Sequence, residues 1–290
     1  MTFLASSFAV FLLSVMVGIR ADDGMRIVGG EAASPGEFPY QVFIENVFNS
    51  TEILKCGGAL YNQEYVVTAA HCMYFKDLGT YANPKRIWIT AGTTDLEEGA
   101  NAPQGDINRD KQITRVVEII PHPKFEYKKY EGDLGTIPTY DIALLRMNPP
   151  LKLNERTQPI SLAPADYVVQ GNGTVTGWGR PDPYGKWTKQ MRKVDIPLVD
   201  WQQCAKMFKG YATVTQDMFC SGTLEGGVTP CNGDSGGPVA CRYDNDPSGR
   251  SFLCGIASFG PNRCPNYSVY TRVSAYVSWV EEQVQKRQTA

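Results

Sequence analysis

The chain has 290 residues, 42% of them apolar, and a formal net charge of −2. That length and composition allow a large buried core, in one domain or two packed halves, and the slightly acidic balance argues against nucleic acid as a partner. Eight cysteines suit four disulfides in an oxidising compartment, while two histidines and no C-x-x-C pair leave no metal centre and no cofactor to expect.

In chain order, residues 1–21 carry an apolar run from Phe3 to Ile19, broken by Ser6, Ser7 and Ser14 and closed by Arg20-Ala21. The run is short for a membrane span and suits a secretory signal peptide, so the mature protein is expected to be secreted and free of the membrane. Residues 22–26, Asp22-Asp23-Gly24-Met25-Arg26, read as an acidic prosegment ending at a basic cleavage site. A cut after Arg26 would place a new ammonium group on Ile27.

With 28 glycines and 19 prolines and only one long helix-like segment, the remainder favours an all-β architecture. Tyr40–Ile44, Tyr65–Thr68 and Val116–Ile120 are rich in β-branched and aromatic residues and read as strands. Thr68-Ala69-Ala70-His71-Cys72 sets small residues ahead of a histidine, which lets an imidazole pack tightly at a cleft. The other histidine, His122, sits between two prolines. Residues 97–111 and 127–140 are polar and read as exposed insertions. Asp95, Glu97, Glu98 and Asp106 could offer oxygens to calcium but show no fixed ligand register, and a solvated charged loop is the alternative.

Asp141 stands at the mouth of the apolar run Ile142–Leu145, where a half-buried carboxylate needs a donor, either a histidine N–H or a strand-capping group. Prolines 149, 150 and 159 mark a connector between two halves of similar size. In the second half Thr174–Gly179, Ser251–Phe259 and Tyr267–Val273 read as strands, and Trp201–Lys209 as a short helix. Tyr276, Val277, Trp279, Val280 and Val284 recur at helical spacing in a closing helix. Glycosylation acceptor patterns begin at Asn49, Asn172 and Asn266, of which Asn49 and Asn172 are candidates for use.

The chemistry concentrates in Cys231-Asn232-Gly233-Asp234-Ser235-Gly236-Gly237-Pro238. Ser235 offers a hydroxyl that becomes nucleophilic once a base takes its proton. The backbone N–H groups of Gly233 and Ser235 could converge on a developing oxyanion. Asp234 needs a cation if buried, and the processed Ile27 amine would supply it. Alternatively the stretch is a glycine-rich surface turn.

Five stretches in order, Ile27–Gly30, Thr68–Cys72, Asp141–Leu145, Gly177–Gly179 and Gly233–Pro238, resemble the trypsin–chymotrypsin family of serine endopeptidases, over essentially Ile27 to Gln285. The resemblance implies two six-stranded antiparallel β-barrels with a C-terminal helix: residues 27–287 as the peptidase domain, with barrel one about 27–145, barrel two about 160–272 and the helix about 273–285. It implies His71, Asp141 and Ser235 as the catalytic triad, and Gly233 and Ser235 as the oxyanion hole. It also implies the disulfides Cys56–Cys72, Cys204–Cys220 and Cys231–Cys264. Cys241 and Cys254, flanking an expected hairpin, are left to pair with each other, a departure from the family's common pattern. The separation of 70 positions from His71 to Asp141 is a second departure, and the two insertions that account for the extra length lie on the way to the cleft.

The residues expected to line the specificity pocket are Thr229, Ser258, Phe259, Gly260 and Ser268. Thr229 stands where trypsins carry an aspartate, so the resemblance implies cleavage after large or medium apolar residues. Expected partners are protein or peptide substrates, a trypsin-like activating protease and protein protease inhibitors, with the enzyme a monomer. No accessory domain precedes Ile27, which favours digestive or broad extracellular proteolysis. The competing reading is an inactive homologue that serves as a binding or regulatory module.

Overall fold

The computed structural model describes residues 30–48, 52–97, 110–129, 136–179, 188–210, 212–222, 234–243, 249–260 and 267–288. Twelve strands form two closed barrels. The first contains β1 (Gln41–Val47), β2 (Ile53–Leu60), β3 (Tyr65–Thr68), β4 (Ile87–Ala91), β5 (Gln112–Pro121) and β6 (Ala143–Asn148). They close in the order β6-β3-β2-β1-β4-β5. The second contains β7 (Asn172–Gly177), β8 (Arg192–Val199), β9 (Met218–Gly222), β10 (Pro238–Cys241), β11 (Phe252–Phe259) and β12 (Tyr267–Arg272). Pairing of β8 with β9 closes them as β12-β9-β8-β7-β10-β11. Counting strands within each half, the two cyclic orders are the same, and every pairing within the rings is antiparallel.

Side-chain alternation explains which face each strand buries. On β5, Thr114, Val116 and Ile120 point inward, while Ile113, Arg115 and Val117 face solvent. The first core is aliphatic: Val42, Ile44, Leu60, Val66, Ile89, Leu144 and Leu145 are all fully buried. Helix α1 (Trp201–Met207) starts at Asp200, whose side chain accepts the N–H groups of Gln202 and Gln203, the usual way of satisfying a helix's orphan donors. Helix α2 (Val277–Gln288) follows a 3-10 turn at Val273–Ala275. It buries Val280 and Val284, beside the preceding Tyr276, in a cluster made mainly of first-barrel side chains although the chain has just left the second, so it straps the halves together.

Three disulfides join described residues, Cys56–Cys72, Cys204–Cys220 and Cys241–Cys254, including the atypical pairing. Cys231 and Cys264 lie outside the described residues. The insertion at residues 127–140 differs from the exposed loop expected of it. Its described part is a hairpin, Glu126–Lys129 paired with Thr136–Thr139, with Ile137, Pro138 and Thr139 buried. No helix among the described residues is long and apolar enough to cross a membrane.

Candidate active site

His71 sits on the 3-10 turn Ala70–Met73 that leaves β3, and Asp141 immediately precedes β6. Strands β3 and β6 are neighbours, with Ala143 opposite Thr68, so the ladder brings two residues 70 apart in sequence to one end of the barrel. His71 Nδ1 and Asp141 Oδ2 lie 2.7 Å apart, and the backbone N–H of His71 donates to Asp141 Oδ1 at 2.9 Å. This double contact fixes the tautomer: with Nδ1 donating, Nε2 of the neutral ring is left as the proton acceptor.

Asp141 is buried, its side chain 1% exposed, against 15% for His71. Ser258 Oγ also donates to its Oδ2, and Thr271 Oγ1 donates to its backbone carbonyl at 2.8 Å. Burial works against the charged imidazolium, but the adjacent Asp141 charge and its hydrogen bond outweigh it and raise His71 above the ordinary histidine value. Burial likewise opposes the Asp141 carboxylate. The charge and hydrogen bond of His71, then the Ser258 hydroxyl, overcome it and hold Asp141 below the usual range.

Ser235 occupies the second position of a tight turn from Asp234 to Gly237, closed by Gly237 N–H donating to Asp234 O at 2.8 Å. Gly236 has φ of +74°, as the third position of a type II turn requires. A Cβ there would lie 2.2 Å from Thr68 Oγ1 and 3.1 Å from Cys72 Sγ. The serine turn is therefore pressed against the two residues that flank the Ala69–His71 segment. Gly57 N–H on β2 donates to Ser235 O at 2.8 Å, and Gly236 N–H donates to Ala257 O at 2.8 Å, anchoring the turn to both barrels. The turn that carries Ser235 is thus packed against the segment that carries His71, which in turn holds Asp141.

Asp234 is 1% exposed, and its Oδ1 accepts the Gly179 N–H at 3.0 Å. Cβ atoms at Gly177 and Gly179 would come within 2.3 and 2.4 Å of its carboxylate oxygens, so the glycines of the Gly-Trp-Gly stretch make the space this acid fills. Arg26, Ile27, Gly233 and Thr229 lie outside the described residues, as does Asn49. Asn172 is exposed at the start of β7.

Of the expected pocket residues, Phe259 and Ser268 are half-buried and Gly260 is exposed. A Cβ on Gly260 would meet Ser268 Oγ at 3.5 Å, so these two face one another across the space. Ser258 has a further contact. Ala257 pairs with Tyr270 and Phe259 with Val269, leaving Ser258 as the unpaired residue of a β-bulge, aimed at Asp141. Thr271 was not foreseen at all, and nothing local in the sequence announces either contact. Cys56, His71 and Cys72 form a metal-like cluster in composition, but the two sulfurs are bonded to each other. Asp95 Oδ1 accepts the Glu97 N–H, and Glu97 pairs with Lys189.

The chain that follows His71 is rich in aromatic contacts. Tyr74, in the hairpin Tyr74–Phe75/Thr80–Tyr81, packs against Tyr81 at 5.1 Å, Phe125 at 5.6 Å and Tyr127 at 6.0 Å between ring centroids. This lattice locks the hairpin after His71 to the insertion before Asp141.

Twin antiparallel barrels meeting at a histidine–aspartate pair and a serine on a glycine turn are the architecture of a serine protease. The sequence model of the family described as Trypsin matches residues 27–280, and the chain belongs to that family. It is similar to coagulation factor IX of Oryctolagus cuniculus, 38% identical over 89% of this chain and 85% of the relative. It is also similar to trypsin-1 of Astacus astacus, 35% identical over 88% of this chain and 98% of the relative.

Proposed function

We propose that the chain is the secreted zymogen of a serine endopeptidase. In this reading residues 1–21 are the signal peptide, 22–26 the prosegment and 27–287 the peptidase domain. The 2.7 Å contact between His71 Nδ1 and Asp141 Oδ2 carries the proposal, because it leaves Nε2 as a base at the crevice that holds Ser235. His71 takes the Ser235 proton as the hydroxyl oxygen attacks the substrate carbonyl, then returns it to the leaving amine. Asp141 stabilises the imidazolium formed in between. The N–H groups of Gly233 and Ser235 receive the oxyanion.

Activation follows cleavage after Arg26 by a trypsin-like protease, the Ile27 ammonium pairing with buried Asp234. Substrates are proteins or peptides cut after large or medium apolar residues, since Gly260 and Ser268 are neutral and Thr229 replaces an acid. A basic side chain buried there would lose water without gaining an ion pair. Protein protease inhibitors are the expected antagonists, Asn49 and Asn172 the expected glycan sites, and the enzyme acts as a monomer. The test treats the chain with trypsin, labels it with a fluorophosphonate and compares anilide substrates ending in Phe, Leu and Arg. Labelling of Ser235 only after cleavage before Ile27, with Phe or Leu preferred, is expected. No labelling after cleavage would leave a binding module instead, and a higher kcat/KM for Arg would overturn the pocket reading.

A further inference from the structure

The second histidine, His122, is built into the backbone that presents Asp141. Tyr140 is the one non-glycine residue at positive φ among the described residues, at +50°. A bulky side chain holds that conformation only where its surroundings enforce it. The next peptide turns sharply, Ile142 N–H donating to Tyr140 O at 2.9 Å around Asp141 itself. The direction of the Asp141 carboxylate is thus set by the conformation of Tyr140.

His122 is what packs on Tyr140. The rings stack face to face, 5.3 Å between centroids and 5° from parallel. Behind the imidazole stand Tyr276 at 5.2 Å and Trp279 at 5.1 Å, around the start of α2. His122 N–H donates to Ile142 O at 3.0 Å, so the same residue also pins the far side of Asp141. The ring's Nδ1 accepts the Lys124 N–H at 3.3 Å, which requires an unprotonated nitrogen there. Burial and the Lys124 charge both favour the neutral form, with Asp217, held by the Tyr276 hydroxyl, a weaker opposing influence. Lys124 Nζ lies 5.6 Å from the Tyr140 ring centroid.

We propose that His122 is a positioning residue: wedged between Tyr140 and the C-terminal helix, it holds Tyr140 in its left-handed conformation and so aims Asp141 at His71. The inference rests on the Asp141–His71 reading above and adds a role for α2, which through Tyr276 and Trp279 becomes part of the support of the active site.

The test compares activated His122→Ala, His122→Phe and Asp141→Asn enzymes by kcat, KM and the pH profile of kcat/KM, with thermal melts alongside. His122→Ala is expected to lower kcat about 10- to 100-fold, the scale of a small misplacement of a catalytic group. KM should stay within about twofold, the pattern of an interaction lost only from the transition state. The acid limb should move to lower pH, because a misdirected Asp141 raises the His71 pKa less. His122→Phe restores a flat ring and should recover most of kcat. Should the alanine variant fail to fold, Trp279→Leu loosens the same ring from the helix side and should shift kcat and the acid limb in the same directions. Unchanged kcat and acid limb in a folded His122→Ala or Trp279→Leu enzyme, beside a crippled Asp141→Asn, would overturn the inference alone. A folded His122→Phe as slow as the alanine variant would also overturn it. Near-native turnover by Asp141→Asn would instead bring down the Asp141–His71 reading on which it rests.

Discussion

The two barrels share one strand order and differ in what they bury. The first is an aliphatic frame whose polar groups at the crevice end are a coupled acid and base, Asp141 and His71. In the second, Ser221 Oγ and Tyr270 OH are hydrogen bonded at 2.8 Å and Thr176 and Thr271 are buried, as Thr68, Thr90 and Thr114 are in the first. A charge pair needs stiff, water-free surroundings to hold one geometry. A substrate pocket needs space and neutral polar walls, which in the proposed reading Gly260 and Ser268 would supply. One topology thus serves two purposes because the chemistry lies in the residues at strand ends rather than in the strand order. The halves remain interdependent, since Ser258 and Thr271 of the second barrel hydrogen-bond the aspartate of the first.

Breaking the reaction outright should need only one residue from either barrel. Ser235→Ala or His71→Ala should each lower kcat by about 10⁴- to 10⁶-fold, and the double variant little further, because residues acting as a unit lose their effect together. Unchanged thermal melts would locate the loss in chemistry; near-native turnover by either variant would end the triad reading.

Asp141→Asn tests the frame side of the comparison. A loss of kcat of about 10⁴-fold is the family's own figure, taken over with the triad. The direction of the pH shift comes from this structure. Asp141 raises the His71 pKa against burial, so removing its charge should move the acid limb of kcat/KM to lower pH. A limb that stays in place would separate Asp141 from the base.

The pocket side is sharpened by Gly260→Val, whose side chain would grow toward Ser268 Oγ from a Cβ 3.5 Å away. It should cut kcat/KM for a Phe substrate by about 10- to 200-fold, the range that a few methyl groups command in a binding pocket. Fluorophosphonate labelling should be spared. Equal losses for both would mean the valine disturbs the serine instead.

Ser258→Ala crosses between the barrels and should cost less, about tenfold in kcat, the scale of one hydrogen bond to a charged group. Its pH effect should be opposite to that of Asp141→Asn. The hydroxyl stabilises the carboxylate, and without it Asp141 draws the proton of His71 more strongly, moving the acid limb to higher pH. A downward shift would mean that Asp141 has moved out of line.

The smallest expected effects are on stability alone. A Cβ at Gly58 would lie 2.7 Å from Val66 Cγ1 in the first barrel, and one at Gly173 would lie 2.7 Å from Val239 Cγ1 in the second. Either alanine should destabilise by about 1–3 kcal/mol through overpacking, read by denaturant melts, with kcat unchanged. A change in kcat for one and not the other would show that the barrels differ in how tightly packing is tied to the site.

Much of this was legible in the sequence because its signals are local or ordered. The β-branched run Tyr65–Thr68 is a strand to the residue, and the closing helix buries Val280 and Val284 as its spacing indicated, with Tyr276 buried just ahead of it. Five motifs in family order assign His71 and Asp141 to the first half and Ser235 to the second. The rest depended on pairings that no local pattern encodes. Residues 127–140 looked polar and exposed, yet the described part is a hairpin whose Tyr127 joins an aromatic wall, since burial there comes from Tyr74 and Phe125 rather than from its own composition. Ser258 was expected at the pocket, and its contact with Asp141 came from a register slip between β11 and β12 that no local pattern signals. His122 offered itself only as a second possible base, and its place among Tyr140, Tyr276 and Trp279 required a loop, a strand entrance and the last helix to converge. Composition and order determine which chemical groups the chain carries and which half holds them. Their directions are decided by bulges, positive φ angles and ring contacts between distant segments, because those energies exist only once the barrels have closed.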